Sequence, residues 1–194
     1  MVRCGTLVDA TLLPSASIQH DAETRWVGHK RRKPVYGTKA HVATDQEAVL
    51  IRKVEITTAN VHDAACLEAV LPPEPGEVYG DSAFASAKSD RLILALGGTP
   101  LTVQTGVWGG PEALAQLKIH NAVVRKVRCR IEKVFGTCKR GYGLRRMRWF
   151  GLAKAGLQVR LTAIAYNLRR SWRLLVPVCA RPCLDSGVGG RNQG

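Results

Sequence analysis

The sequence predicts an α/β protein in which strands come first along the chain and two long helices come last. Residues 3–13 are mostly β-branched and aliphatic and stop at a proline, which is typical of a buried strand. Segments 36–45 and 48–58 alternate between apolar and polar residues, which indicates an antiparallel hairpin. Segments 123–139 and 152–175 repeat apolar residues every three or four positions, as amphipathic helices do.

Shorter elements fill the middle of the chain. Residues 77–80 predict a short strand that leads directly into Asp81, where a helical run begins after a turn rich in Ser and Ala. Gly97 and Gly98 end that run, and residues 99–106 predict a further strand. Asp81 therefore sits at the carboxyl end of a strand, where sheet proteins place active groups, although an N-cap is the alternative.

Two other segments have weaker signals. Residues 14–34 are polar and basic without apolar periodicity, which indicates a long exposed loop or a segment that faces DNA. Asn60 and Asp63 are spaced like an N-cap residue and its reciprocal acidic partner, just before a helical run at 64–71. We expect these two residues to have a structural role.

The amino-acid composition indicates what class of molecule this protein binds. The 194 residues contain 29 Lys and Arg against 15 Asp and Glu, a formal net charge of +14, which implies a polyanionic partner. No uninterrupted apolar run is long enough to span a membrane, and the N-terminus lacks a signal-peptide core. We therefore expect a cytoplasmic protein with no membrane contact.

The sequence predicts one domain at 1–175, followed by a tail at 176–194 that we expect to be disordered because it has no periodicity.

The helix at 123–139 has a charged stripe beside its apolar side. At about 100° per residue, Arg125, Arg128, Glu132 and Lys139 fall within a sector of roughly 60°. Three cations and one carboxylate thus share one narrow face. A solvated basic face with one intrahelical ion pair is the alternative to a functional site.

The helix at 152–175 has one strongly apolar side, which we expect to face the core. This side consists of Leu157, Leu161, Ile164, Leu168, Trp172 and Leu175.

Three carboxylates stand out by their position: Asp9 inside the first strand, Asp81 after a later strand, and Glu132 on the long helix. A carboxylate inside an apolar strand is costly to bury unpaired, so Asp9 is either satisfied locally or held there for a metal ion. Two-metal phosphoryl chemistry needs several oxygen ligands of this kind, with cationic side chains nearby to hold the nucleic-acid backbone.

Several segments together resemble a known family. They are LVDATLL, YGTKAHVATD, ITTANVHD, VYGDSAF, RCRIEKVFGTCKR and AIAYNLRR, spread over roughly residues 5–170. These segments are similar to the catalytic half of a DDE transposase of bacterial insertion sequences, in the superfamily of insertion sequences 4 and 5. The hallmark of that family is Tyr, two residues, Arg, three residues, Glu, six residues, Lys. Arg128, Glu132 and Lys139 keep this spacing, whereas Arg125 stands at the Tyr position.

The resemblance implies an RNase H-like mixed sheet flanked by helices. It further implies that Asp9, Asp81 and Glu132 are metal ligands for Mg²⁺, with Mn²⁺ as a substitute. By the same resemblance, Arg128 and Lys139 hold DNA phosphates, and Arg125 leaves the contact at the Tyr position cationic.

The implied activity is metal-dependent DNA cleavage and strand transfer. The partners are the terminal repeats of the element and its target DNA, with a homodimer as the usual state for such reactions. Full-length relatives have an N-terminal region that binds the DNA ends, and here the first catalytic strand starts almost at Met1. We therefore expect a truncated or split-frame form, whose separate N-terminal reading-frame product would be a further partner. The alternatives are an inactive remnant that only binds DNA, and an RNase H-like nuclease without strand transfer.

Overall fold

The computed structural model describes residues 5–29, 32–106 and 109–176, and in this part of the chain six strands form one sheet. The strands are β1 Thr6–Pro14, β2 Arg25–His29, β3 Arg32–Asp45, β4 Ile51–Thr58, β5 Glu77–Gly80 and β6 Thr99–Thr102. The α-helices are α1 Leu67–Val70, α2 Ala87–Ala95, α3 Pro111–Gly141 and α4 Leu152–Leu175. Short 3-10 helices at Asp63–Cys66 and Ser82–Phe84 come before α1 and α2.

The sheet is mixed, with β1 at its centre. β1 runs antiparallel to β3 and parallel to β5, and β5 runs parallel to β6. β3 is long enough to pair with β2 near its start and with β4 along its second half. The predicted α/β class, with a mixed sheet flanked by helices, is confirmed.

Both faces of the sheet are covered, as consecutive residues of β1 demonstrate. Val8 packs in a buried cluster with residues of α1 and α2, including Leu67 and Ile93. Leu7 points to the opposite face, because strand side chains alternate, and there it packs with residues of α3, including Ile131. Asp9 alternates with Val8 and so belongs to the α3 face.

The side of α4 that we expected to face the core is exposed, so that prediction is wrong. The exposed side-chain fractions reach 68% at Leu168, 69% at Trp172 and 78% at Leu175. The opposite side of the helix is buried instead, and it consists mainly of small or polar residues. Its members are Ala155, Gly156, Gln158, Val159, Thr162, Ala163 and Tyr166.

Hydrogen bonds to the sheet explain which side of α4 packs. The side-chain amide of Asn167 accepts from the backbone N–H of Ile51 at 2.8 Å and donates to the carbonyl of the same residue at 2.7 Å. The hydroxyl of Tyr166 donates to the carbonyl of Val49 at 3.1 Å. These bonds satisfy the backbone at the start of β4, and only one orientation of the helix can make them.

The segment 14–34 is not a long exposed loop, contrary to expectation, because it contains β2 and the start of β3. Several of its polar side chains are buried and bond to one another. The hydroxyl of Ser15 donates to Oδ2 of Asp21 at 2.6 Å, and the hydroxyl of Thr24 donates to the carbonyl of Asp21 at 2.9 Å. Polar side chains that form hydrogen bonds with one another leave no apolar periodicity in the sequence, so that periodicity did not predict β2.

The capping prediction at Asn60 is also wrong. The N-cap of the 3-10 helix is His62, whose ring accepts from the backbone N–H of Ala64. Asn60 accepts from the hydroxyl of Thr58 instead. Asp63 forms an ion pair outside its own helix, as described below.

The predicted tail at 176–194 lies, after residue 176, outside the described residues. None of the helices in the described part of the chain combines the length and the apolar character that a membrane crossing needs.

Candidate active site

The register of β1 and β5 brings two of the carboxylates side by side. Thr6 pairs with Val78 and Leu7 with Tyr79 in a parallel ladder. The same register, continued two residues further, sets Asp9 opposite Asp81, which directly follows β5. The strand pairing alone therefore brings together two acidic residues that are 72 positions apart in the chain.

Helix α3 lies over these two strands and supplies the other charged groups. Val124 and Ile131 of α3 are almost fully buried against Leu7 and Tyr79. Arg128 lies one turn after Val124, on the same side of the helix, and is therefore held against the sheet. Apolar packing thus fixes a cation where β1 contains Asp9.

The guanidinium of Arg128 lies within ion-pair distance of all three carboxylates. Its Nη2 atom is 3.0 Å from Oδ2 of Asp9 and 3.7 Å from Oδ2 of Asp81. Its Nη1 atom is 3.8 Å from Oε1 of Glu132, one turn further along α3. One cation thus faces three carboxylates, so the cluster has an excess of negative charge when every group is ionised.

Both aspartates are oriented by their own backbone. Oδ1 of Asp9 accepts from the N–H of Ala10 at 2.8 Å, and Oδ1 of Asp81 accepts from the N–H of Ser82 at 2.7 Å. In each case the second oxygen, Oδ2, is the one nearest to Arg128. Asp81 is therefore both an N-cap, as one alternative predicted, and a member of the carboxylate cluster.

The cluster opens to solvent along one direction. The side chain of Asp9 is 14% exposed and that of Arg128 is 15% exposed, whereas Asp81 reaches 46% and Glu132 reaches 62%. Asp9 therefore lies at the closed end of the cluster, and Asp81 and Glu132 lie at its accessible side.

Burial also changes the pKa of Asp9, which lies at the closed end of the cluster. Burial raises the pKa of Asp9, while the Arg128 guanidinium and the bond from the Ala10 amide act against that rise. The negative charge of Asp81 raises the pKa of Asp9 further. A cation bound near both aspartates would lower the pKa of Asp9 and favour its ionised form.

The two other predicted DNA contacts lie on the same helix. Arg125 is exposed, one turn before Arg128, and forms none of the ion pairs found among the described residues. Lys139 is half-buried, and its Nζ atom donates to the carbonyl of Leu12 in β1 at 3.4 Å. Of the charged stripe predicted for this helix, Arg128 contacts the middle of β1 and Lys139 contacts a residue nearer its end.

The donor atoms of the cluster suit a hard divalent cation, which prefers carboxylate oxygens. In the arrangement seen, however, no three or more His, Cys, Asp or Glu side chains of the described residues are placed to hold a metal ion. The guanidinium of Arg128 lies between the carboxylates instead, and its buried Nε atom has no hydrogen-bond partner within the described part of the chain. A metal ion would therefore compete with Arg128 for the same oxygens.

One charged pair near the site was not predicted from the sequence. Nζ of Lys39 lies 2.8 Å from Oδ1 of Asp63 and donates to the carbonyl of Val61 at 2.7 Å. Lys39 stands opposite Leu12 in the pairing of β1 and β3, so the pair is close to the strand that contains Asp9. The sequence did contain a signal for this pair, because Lys39 occupies a position in an alternating strand whose side chain points towards the interior.

Known proteins similar to this chain identify its family. The family model described as "Transposase DDE domain" matches residues 1–168. The transposase for insertion sequence element IS1106 of Neisseria meningitidis serogroup B is 30% identical over 165 residues, which are 82% of this chain and 56% of that protein. The chain therefore spans little more than half the length of this relative. A solved catalytic core domain of BIV integrase is 12% identical, with a TM-score of 0.32, over 85% of this chain and 99% of that one. The match over residues 1–168 confirms the resemblance to a DDE transposase of insertion sequences, and the chain belongs to the transposases with a DDE domain.

Proposed function

We propose that this chain is the catalytic part of a transposase that cleaves DNA and transfers the cut strand in the presence of Mg²⁺, with Mn²⁺ as a substitute. The observation that supports the proposal is the convergence of three carboxylates from β1, β5 and α3 on one guanidinium. In this proposal Asp9, Asp81 and Glu132 are the metal ligands, and residues 1–175 act as one catalytic domain.

The three carboxylates share one task in this proposal, which is to hold the metal ions, but they differ in how firmly they are fixed. When bound, a pair of divalent cations activates a water for attack on a phosphodiester and stabilises the leaving oxygen. Asp9 and Asp81 are suited to hold a cation because their Oδ1 atoms are already fixed by backbone N–H groups. Glu132, the most exposed of the three, is free to adjust when DNA arrives.

Arg128 exchanges partners in this scheme. Without a metal ion, its guanidinium compensates the carboxylates, as its distances of 3.0 to 3.8 Å indicate. If Asp9, Asp81 and Glu132 held a divalent cation, they would no longer need Arg128 for charge compensation, and its guanidinium would be able to bind a DNA phosphate. Arg125 and Lys139 bind further phosphates along the same face of α3.

The proposed partners are DNA at the terminal repeats of the element and at the target site. The net charge of +14 favours a polyanion and predicts that binding weakens steeply as salt increases. A homodimer completes the proposed assembly.

The first prediction tests the carboxylate cluster with Asp81→Asn. The amide keeps an oxygen for the Ser82 N–H, so the variant removes the charge and leaves the cap in place. We expect cleavage of labelled terminal-repeat DNA in Mg²⁺ to fall by more than about 100-fold, because even indirect partners of a metal ion cost 10–100-fold when mutated. Calorimetric titration with Mn²⁺ should show weaker binding by the same variant.

Glu68→Gln is the matched control, since Glu68 is exposed on α1, which packs against the opposite face of the sheet. It should cleave and bind Mn²⁺ like the unchanged protein. Equal cleavage by the unchanged protein and by Asp81→Asn would refute the catalytic assignment. Cut ends without any joined product, with a target plasmid present, would indicate a nuclease that lacks strand transfer.

A further inference from the structure

A cavity of about 340 Å³ lies next to the carboxylate cluster, along the part of β1 that follows Asp9. Ala10 and Leu12 line it, and three charged side chains do so as well: Lys39, Asp63 and Lys139. β5 pairs with β1 only at its first two residues, so no described strand borders β1 on that side beside the cavity. The cavity therefore lies at the unpaired edge of β1, between Lys39 and Lys139.

Lys139 has the environment of a cation that lacks its counter-ion. It is half-buried, and its only hydrogen bond in the described part of the chain goes to the carbonyl of Leu12 at 3.4 Å. No carboxylate of the described residues lies within 4.0 Å of it. Burial lowers the pKa of Lys139, which reflects the cost of holding this charge without a partner. An anionic ligand would remove that cost.

Lys39 reaches the same cavity from β3 and is held firmly. Its side chain is 13% exposed, and two of its three N–H donors are used by Asp63 and by the carbonyl of Val61. The third donor has no partner among the described residues. With two ammonium groups and one carboxylate, the lining has a net positive charge.

We propose that this cavity binds a phosphodiester of the DNA strand, with Lys39 as a phosphate contact and Asp63 as the residue that positions Lys39. The inference rests on the proposed function and extends its DNA-binding surface from α3 to β3. Leu12 is three residues beyond Asp9, or about 10 Å along the strand. Lys39 pairs with Leu12 and so belongs to the face of the sheet opposite to Asp9, but Lys139 of α3 contacts the Leu12 carbonyl at the unpaired edge of β1, where the two faces meet. A phosphate a few nucleotides from the one at the carboxylates can reach the cavity around this edge, since one strand of duplex DNA advances about 3.4 Å per nucleotide along its axis.

The alternative is that the pair of Lys39 and Asp63 only ties β3 to the segment after β4. The two alternatives differ in what the loss of Lys39 does to DNA binding. A structural ion pair affects the free energy of unfolding, whereas a phosphate contact also affects the dependence of DNA affinity on salt. Salt dependence therefore separates them.

The test is Lys39→Met, with affinity for labelled duplex DNA measured in EDTA between 50 and 200 mM NaCl. The slope of log affinity against log salt should become about 0.9 less steep, as expected for one lost phosphate contact. The factor by which affinity falls between 50 and 200 mM NaCl should therefore be about 3.5 times smaller than in the unchanged protein. Lys39→Arg keeps the charge and should keep the slope. Asp63→Asn should keep the slope and weaken binding at every salt concentration, because Lys39 retains its charge but loses its anchor.

Lys53→Met is the matched control. Lys53 also belongs to the sheet and also donates to a backbone carbonyl, that of Leu71 at 3.0 Å, but it does not line the cavity. It should leave the slope unchanged. A folded Lys39→Met protein, verified by circular dichroism, whose slope equals that of the control would overturn the proposal.

The result is independent of catalysis because the binding assay contains no divalent metal. If Asp81→Asn abolishes cleavage while Lys39→Met keeps the full slope, the proposed function stands and this inference fails. If Asp81→Asn has no effect while Lys39→Met loses slope, the inference stands and the catalytic proposal fails.

Discussion

The two long helices α3 and α4 pack against the same face of the sheet, yet they use opposite kinds of surface to do so. In α3 most of the buried residues are apolar, among them Val124, Ile131 and Val134, and Asn121 is the polar exception. In α4 the buried side consists mainly of small or polar residues, and its large apolar residues are exposed. A clear apolar period therefore located both helices in the sequence but revealed the packed side of only one.

The difference has a physical cause. An apolar stripe selects the packed side of a helix when the surface below it is also apolar, as Leu7 is below α3. Under α4 lies the start of β4, where the backbone of Ile51 needs partners that Asn167 supplies. An unsatisfied buried backbone group costs roughly 1–3 kcal/mol, comparable to burying one or two aliphatic side chains. These hydrogen bonds favour the observed orientation of α4, in which its large apolar side chains are exposed.

The largest effect is expected in α3, from Ile131→Ala. Ile131 is 0% exposed, and its loss leaves a cavity between the helix and the sheet. The free energy of unfolding, measured with urea, should fall by about 2–5 kcal/mol. The substitution also loosens the turn that holds Arg128 and Glu132, so we expect catalytic activity to fall as well.

Val123→Ala is the control on the same helix, because Val123 is 56% exposed. It should change the free energy of unfolding by no more than about 0.5 kcal/mol, with a slight gain from the better helix propensity of Ala. Similar losses at positions 123 and 131 would mean that α3 does not pack through the side described.

A smaller effect is expected in α4, from Gln158→Leu. The side chain of Gln158 is buried, accepts from the N–H of Arg148 at 2.9 Å and donates to the carbonyl of Arg146 at 3.3 Å. Leucine has a similar size but leaves both backbone groups without a partner. We expect a loss of about 1–3 kcal/mol in urea unfolding.

The same substitution on α3, Gln116→Leu, should be nearly neutral, since Gln116 is exposed. A gain in stability from Gln158→Leu would show that apolar burial, and not hydrogen bonding, decides how α4 packs.

Much of the fold was readable from the sequence because it depends on local patterns. The bounds of α4 agree with the predicted 152–175, and β5 agrees with the predicted 77–80. The missing parts, β2 and the N-cap at His62, depend on polar side chains that find partners through the folded chain. Those partners have no signal at short range in the sequence.

The candidate site, like the fold, was predictable from the sequence only in part. The choice of Asp9, Asp81 and Glu132 followed from their places at strands and on a helix, and the structure brings the three together around Arg128. The position of Arg128 between them was not predictable, because the spacing of a motif gives the face of a helix and not the partner of a side chain. The same holds for Lys39, whose partner Asp63 lies beyond a neighbouring strand.

The smallest effect is expected on the exposed stripe of α4, from Leu168→Ala. Leu168 is 68% exposed, so its removal takes little apolar area out of a buried environment, and Ala is the better helix former. The free energy of unfolding should change by less than about 0.5 kcal/mol, whereas Leu144→Ala, at a leucine that is 3% exposed, should cost about 2–5 kcal/mol. A loss above about 1 kcal/mol at position 168, or a melting temperature that rises with protein concentration, would contradict an exposed stripe in solution. In that case both sides of α4 would pack, one on the sheet through hydrogen bonds and the other on another molecule through apolar contact.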